Sequence, residues 1–267
     1  MRSREALALL VEGARRQRHI LKALLIRDLM IRFQREGLGF AWLVLEPLSL
    51  ILLVIVLWRV EYGESHNGIG VVPMVLTGYS FLTMWRHIVG RSHFAFRLSL
   101  DLKYHRKIQY GDILLSRFLL EVGGTFLAFW IAYLAFVLTD QIRPIDDLFV
   151  FCVAWLLMAT FTTGVGFTLA SINEIWEMSE RFIPPLMYIT LPMTGTFYMV
   201  SWLPQMAQDF VLWSPLVHAM EMLRAAYFGG EVVTYWDPYY LFACSIFMLA
   251  TGLGLHEIAK TRVKALS

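Results

Sequence analysis

The sequence predicts an all-α, polytopic membrane protein with six transmembrane helices, and three observations predict it. Hydrophobic residues fill 58% of the chain, charged ones only 16%, and the mean hydropathy is +0.58. A soluble domain carries about 25% charge, because its surface must face water. The apolar residues are gathered into segments of about 20, the length a helix needs to cross a bilayer. Strand-type alternation is absent, which disfavours a β-barrel. The 9 Trp, 11 Tyr and 19 Phe fit a chain that meets two membrane interfaces.

Residues 1–37 form a cytoplasmic N-terminal segment rich in arginine. They lack a compact apolar core followed by a small-residue cleavage site, so the first apolar span is expected to stay as an anchor. Residues 17–36 read as a helix. Ile20, Leu24 and Ile31 share a stripe at 3.6-residue spacing, with Arg27 beside it. Arginine side chains can snorkel to headgroup phosphates, which suits a helix lying on the cytoplasmic interface.

The transmembrane domain runs over 38–258, and 259–267 is a cytoplasmic tail. Its six spans are Leu38–Trp58, Val71–Gly90, Ile113–Leu138, Leu148–Ala170, Phe182–Val200 and Pro238–Leu255. An even number of spans returns both termini to one side. Positive residues decide which side. Nine Arg and Lys precede the first span; Arg91, Arg97, Lys103, Arg106 and Lys107 follow the second; Lys260, Arg262 and Lys264 follow the sixth. The opposite loops hold only Arg59, Arg143 and Arg224. Positive residues stay inside, so both termini and the 91–112 loop are cytoplasmic. Between spans five and six, 201–237 is apolar but cut by Pro204, Pro215, Gly229 and Gly230. Such short pieces read as re-entrant or interfacial helices on the external side.

Motifs for chemistry are missing. No G-x-x-x-x-G-K-[ST] phosphate loop or G-x-S-x-G elbow occurs, and the seven histidines have no metal-ligand spacing. Cys152 and Cys244 sit in apolar runs and form no disulfide framework. A net charge of +2 without basic-aromatic motifs gives no reason to expect nucleic acid. Gly164-Val165-Gly166 lies in a span, where small residues allow close helix packing. Charges inside spans are costly and face protein or water. Glu46, beside Pro47, can cap the broken helix or line a cavity. Arg117 and Glu121, four apart, can pair along a helix face or snorkel. Glu221 and Arg224, three apart on a short helix from Pro215, either brace an external helix or serve an exit path.

The chain resembles the type-2 ABC exporter permeases, and within them the capsular polysaccharide export subunit. Arg32-Phe33, then Leu38-Gly39-Phe40-Ala41-Trp42 through Glu46-Pro47, is similar to the family's "RF…LGxxWxxLEP". Ser214-Pro215-Leu216-Val217-His218 with Glu221 and Arg224 is similar to "NPLVHxxExxR", with serine in place of asparagine. Leu102 to Lys107, on through Asp112 to Arg117 and Glu121, also looks like the family, with Gly111 where proline is usual. The resemblance implies a homodimer in the bacterial inner membrane, docked on two ATP-binding cassette subunits that hold ATP and Mg2+. This chain itself would bind no cofactor and have no catalytic site. The substrate would be a lipid-linked polysaccharide, passed toward a periplasmic co-polymerase and an outer-membrane channel. An O-antigen or teichoic-acid exporter of the same family is the alternative, and a membrane-embedded lipid-sugar enzyme is the alternative from another class.

On that resemblance the residues take roles. Arg27, Arg32 and Arg35 are placed to meet the lipid phosphate, through charge-assisted bonds that offset its desolvation. Trp42, Tyr188, Phe197 and Tyr198 are candidates for an aromatic wall along which sugar rings slide, or else interface anchors. Glu46 would border the path, while Glu221 and Arg224 would brace an external gate. Asp101, Leu102, Lys103 and Tyr104 stand where the family's coupling helix docks on the ATP-binding subunit.

Overall fold

A computed structural model describes residues 2–36, 40–92 and 109–266, with side chains outside 2–11, 14, 32–36, 40, 177 and 262–266. The described residues are almost entirely helical. α1 (Arg2–Glu36) starts well before the helix expected at 17, and α2 is Phe40–Tyr62. A two-residue hairpin, Ser65–His66 against Ile69–Gly70, follows. Asn67 and Gly68 form its tip at φ 49° and 80°, the left-handed pair that an Asn-Gly turn supplies. α3 is Val71–Ser92, α4 Tyr110–Leu138 and α5 Leu148–Ile175. After α6 (Ile183–Thr190) come α7 (Gln205–Val211), α8 (Pro215–Phe228) and α9 (Pro238–Leu266).

Four of these helices are long and apolar enough to cross a membrane: Ala41–Tyr62, Tyr110–Leu138, Leu148–Ile175 and Pro238–Thr261. α3 differs because it is walled by protein. Of its 22 residues 17 are buried, so it has little need of a lipid-facing surface and tolerates polar side chains. Thr77, Ser80 and Thr83 turn their hydroxyls back onto the carbonyls of Pro73, Leu76 and Tyr79 at 2.7, 2.6 and 2.6 Å. Each donor is thereby satisfied inside its own helix.

The expected fifth span, 182–200, is not one helix. A 3-10 stretch (Glu177–Phe182) leads into α6, and a second (Leu191–Thr194) ends at Gly195 with φ 72°. Pro192 has no N–H to continue an α-helix, and the left-handed glycine turns the chain away.

Cross-links define the two ends of the bundle. Gln17 donates to Asp112 Oδ1 at 3.3 Å and Lys260 Nζ to Gln109 Oε1 at 3.0 Å, so α1, the start of α4 and the last turns of α9 share one end. At the other, Arg59 donates to Gln141 Oε1 (2.8 Å) and the Asp147 amide to the Ala226 carbonyl (2.9 Å).

α5 and α9 pack along each other more extensively than any other pair. They touch backbone to backbone: a Cβ on Gly164 would lie 2.5 Å from the Leu249 nitrogen, and one on Gly252 2.5 Å from the Gly164 carbonyl oxygen. The small residues thus serve close packing, as their place in a span implied. Leucine at 252 is expected to force the helices apart and cost about 1–3 kcal/mol or more. Thermal unfolding of purified protein should show a clear drop for Gly252→Leu and almost none for Gly254→Leu, since nothing lies within 4 Å of a Cβ at 254.

Candidate functional site

Two polar centres are set into this apolar bundle. The first lies toward the α1 end and joins three helices. Glu46 comes from α2, His87 and Arg91 lie one turn apart on α3, and Glu121 comes from α4. His87 Nδ1 is 3.0 Å from Glu121 Oε2, and its Nε2 is 3.4 Å from Glu46 Oε1. Arg91 reaches both carboxylates, at 3.2 Å from Glu46 Oε2 and closely paired with Glu121 Oε1. With a carboxylate oxygen on each ring nitrogen, the geometry suits a doubly protonated imidazole that donates twice. Two negative groups then face two positive ones. Only such balance lets Glu121, 3% exposed, keep its charge in a membrane protein's interior.

Sequence reasoning singled out Glu46 and Glu121, gave His87 no role and counted Arg91 only toward sidedness. The spacing was visible: two cationic residue types four apart at the end of one span, in reach of lone carboxylates on two others. Arg117, considered as Glu121's partner along α4, has its Nε 4.0 Å from Asp28 on α1. Ser116 also donates to that carboxylate at 3.4 Å. This contact seats α1 on α4.

The second centre is α8. Pro215 opens it, where a missing N–H costs nothing. Ser214 donates to the Met193 carbonyl at 2.7 Å. His218 accepts from the Asp237 amide at Nδ1 (3.0 Å), which leaves Nε2 to donate to the Leu212 carbonyl (2.8 Å). Glu221 accepts from the amides of Val200 (3.3 Å) and Tyr235 (3.0 Å). Arg224, fully buried, donates to the carbonyls of Gly195 (2.8 Å), Tyr198 (2.6 Å) and Thr196 (2.9 Å), and lies 3.9 Å from Glu221. Gly78 of α3 lets this turn press in, since a Cβ there would stand 2.8 Å from the Thr196 oxygen. The motif's polar side chains therefore hold irregular backbone, which inside an apolar protein has no water to bond.

The charged side chains of both centres fall within residues 19–228, the stretch matched by the ABC-2 type transporter family. The chain belongs to that family. Over 239 residues, 90% of each chain, this permease is 33% identical to the capsule polysaccharide export inner-membrane protein CtrC of Neisseria meningitidis serogroup B. It is 33% identical to the capsule polysaccharide export inner-membrane protein BexB of Haemophilus influenzae over 89% of each chain. The polysialic acid transport protein KpsM of Escherichia coli is 24% identical over 94% of this chain and 96% of its own.

The permease's other expected site residues are scattered. Trp42, 42% exposed, stands on the first turn of α2 at the α1 end. Tyr188 is exposed on α6. Phe197 packs edge-on against Tyr79 of α3 at 5.8 Å, and Tyr198 donates its hydroxyl to the Pro192 carbonyl at 2.6 Å. Phe197 and Tyr198 belong to the turn held by Arg224, while Trp42 stands near the α1 end. Arg27 lies 3.6 Å from Asp28, and its enclosed Nη1 has no hydrogen-bond partner among the described residues. The side chains of Arg32 and Arg35 lie outside the described residues, as do Asp101, Leu102, Lys103 and Tyr104 entirely. No group of three or more His, Cys, Asp or Glu among the described residues is placed to hold a metal ion.

Removing Arg224 would leave three carbonyls and the Glu221 carboxylate buried without it. Arg224→Ala is expected to destabilise the purified permease by about 3–5 kcal/mol. Arg224→Lys should recover little, because a compact ammonium cannot reproduce the guanidinium fork. The exposed pair Arg143–Glu231 is the contrast: Glu231→Gln should cost about 1 kcal/mol or less in the same unfolding assay.

Proposed function

We propose that the chain is the permease subunit of an ATP-driven transporter that exports lipid-linked capsular polysaccharide across a bacterial inner membrane. The observation that carries this reading is the near full-length similarity to inner-membrane proteins named for capsule polysaccharide export. Two copies of the chain would form the path, each on an ATP-binding cassette subunit that supplies ATP and Mg2+. Periplasmic co-polymerase and outer-membrane channel would receive the polymer.

Six crossings complete the permease. α3, with 22 residues at about 1.5 Å each, is long enough by length. The helical run from Glu177 to Thr194 leaves the end of α5 and finishes at the turn held by Arg224, toward the opposite end of the bundle. The α1 end would be cytoplasmic, with α7 and α8 as the external re-entrant pieces. Residues 1–37 would be the interfacial segment, 38–258 the transmembrane domain and 259–267 the tail. Asp101, Leu102, Lys103 and Tyr104 would dock on the ATP-binding subunit.

For the substrate, Arg27 with Arg32 and Arg35 would meet the lipid phosphate. Trp42, Tyr188, Phe197 and Tyr198 would offer ring faces to sugars at separate stations. Glu221 and Arg224 would act on the external gate by keeping its backbone in shape.

Deleting the gene for this chain should abolish surface capsule and leave polymer inside the cell, with restoration by the plasmid-borne gene. Unchanged capsule, or loss of O-antigen or teichoic acid instead, would overturn the assignment. For topology, single cysteines at Asn67 and Asp140 should react with an impermeant maleimide in intact cells, in a background lacking Cys152 and Cys244. A cysteine at Lys264 should react only after permeabilisation; its labelling in intact cells would invert the orientation.

A further inference from the structure

The centre built from Glu46, His87, Arg91 and Glu121 is lopsided. On the α4 side Glu121 is 3% exposed, with His87 at 3.0 Å and Arg91 paired to it. On the α2 side Glu46 is 39% exposed, and its contacts are longer, at 3.2 to 3.4 Å. Breaking the Glu121 half would disturb a buried carboxylate, whereas the Glu46 half already lies at exposed surface. Glu46 and Arg91 already reach exposed surface, and Arg91 and His87 would keep Glu121 as their partner.

α2 is also built to bend at this point. Pro47 follows Glu46 and has no N–H to give the Leu43 carbonyl one turn back, so the helix ladder is open there. One turn before Glu46, Leu43 rests on bare backbone at Gly124 of α4, where a Cβ would stand 2.6 Å from Leu43 Cγ. A smooth seat, an open ladder and one polar tie make the first turns of α2 the movable part. Those turns carry Trp42.

We propose that His87 and Arg91 are positioning residues that hold Glu46 as a releasable latch, closing the start of α2 against α3 and α4 in the resting transporter. This inference rests on the exporter reading, because it assumes an ATP-binding subunit that pushes. Release lets α2 swing about Pro47 while Glu121 keeps both cations on α3.

The test uses the complex of this chain with its ATP-binding subunit in phospholipid nanodiscs, without polymer, beside surface-polymer assays in cells. Glu46→Gln should assemble like wild type, yet hydrolyse ATP about fivefold faster without polymer and export about fivefold less, the low end of a coupling interaction. Glu46→Asp, which retains the charge, should recover most of both. Glu121→Gln should instead lose assembled complex. Wild-type hydrolysis by Glu46→Gln would overturn the latch, as would equal loss of assembly in the two glutamine variants, which would make Glu46 a static tie. The hydrolysis arm needs no particular polymer, so a wrong substrate assignment would appear in the export arm alone.

Discussion

In hydrocarbon a charged side chain or a bare carbonyl has no water to turn to, and this one constraint organises the structure. It explains why Glu46, Glu121, His87 and Arg91 converge from three helices. It explains why the buried guanidinium of Arg224 bonds three carbonyls of a turn and also faces the Glu221 carboxylate. Span helices bond their own backbone, so only breaks such as 195–200 and 212–214 need side-chain donors. α8 supplies donors for both, and Tyr240 of α9 adds one to the Trp213 carbonyl.

The same constraint separates the two ends in character. At the end holding the hairpin, α7 and α8, buried polar side chains bond backbone and fix shape, while the ion pairs Arg59–Glu64 and Arg143–Glu231 lie at the surface. Toward the α1 end, charges bond charges, partly within reach of water. Charge pairs near water break at small cost, while buried arginine–carbonyl forks do not. A transporter needs both kinds: rigid irregular segments on one face and ties that can let go on the other. α3 carries one centre and supports the other, touching Glu46 and Glu121 through His87 and Arg91 and the Arg224 turn through Gly78.

Much of the fold was legible because lipid makes helices long and apolar. The expected spans at 38–58, 113–138, 148–170 and 238–255 coincide with α2, α4, α5 and α9. The apolar run at 182–200 gave no sign that its helix is broken, since hydropathy does not register what Pro192 and Gly195 do to the backbone. The hairpin at 65–70 escaped notice although Asn67-Gly68 is a strong turn signal, because two-residue strands leave no alternation to read. Glu221 and Arg224 stood out as polar residues in an apolar stretch, and their weighing as structural braces against a role in an exit path turned on partners that only the fold supplies.

The sequence by itself determined the class of the molecule: a helical membrane chain, its sidedness bias, and motifs that mark a family. These properties live in composition and in neighbours along one helix. Only the tertiary structure decided which charges meet. Glu46, His87 and Glu121 are separated by 41 and 34 positions in the chain, yet share one centre. Packing across helices sets such pairings, because a buried carboxylate takes whichever cation the neighbouring helix brings within about 4 Å.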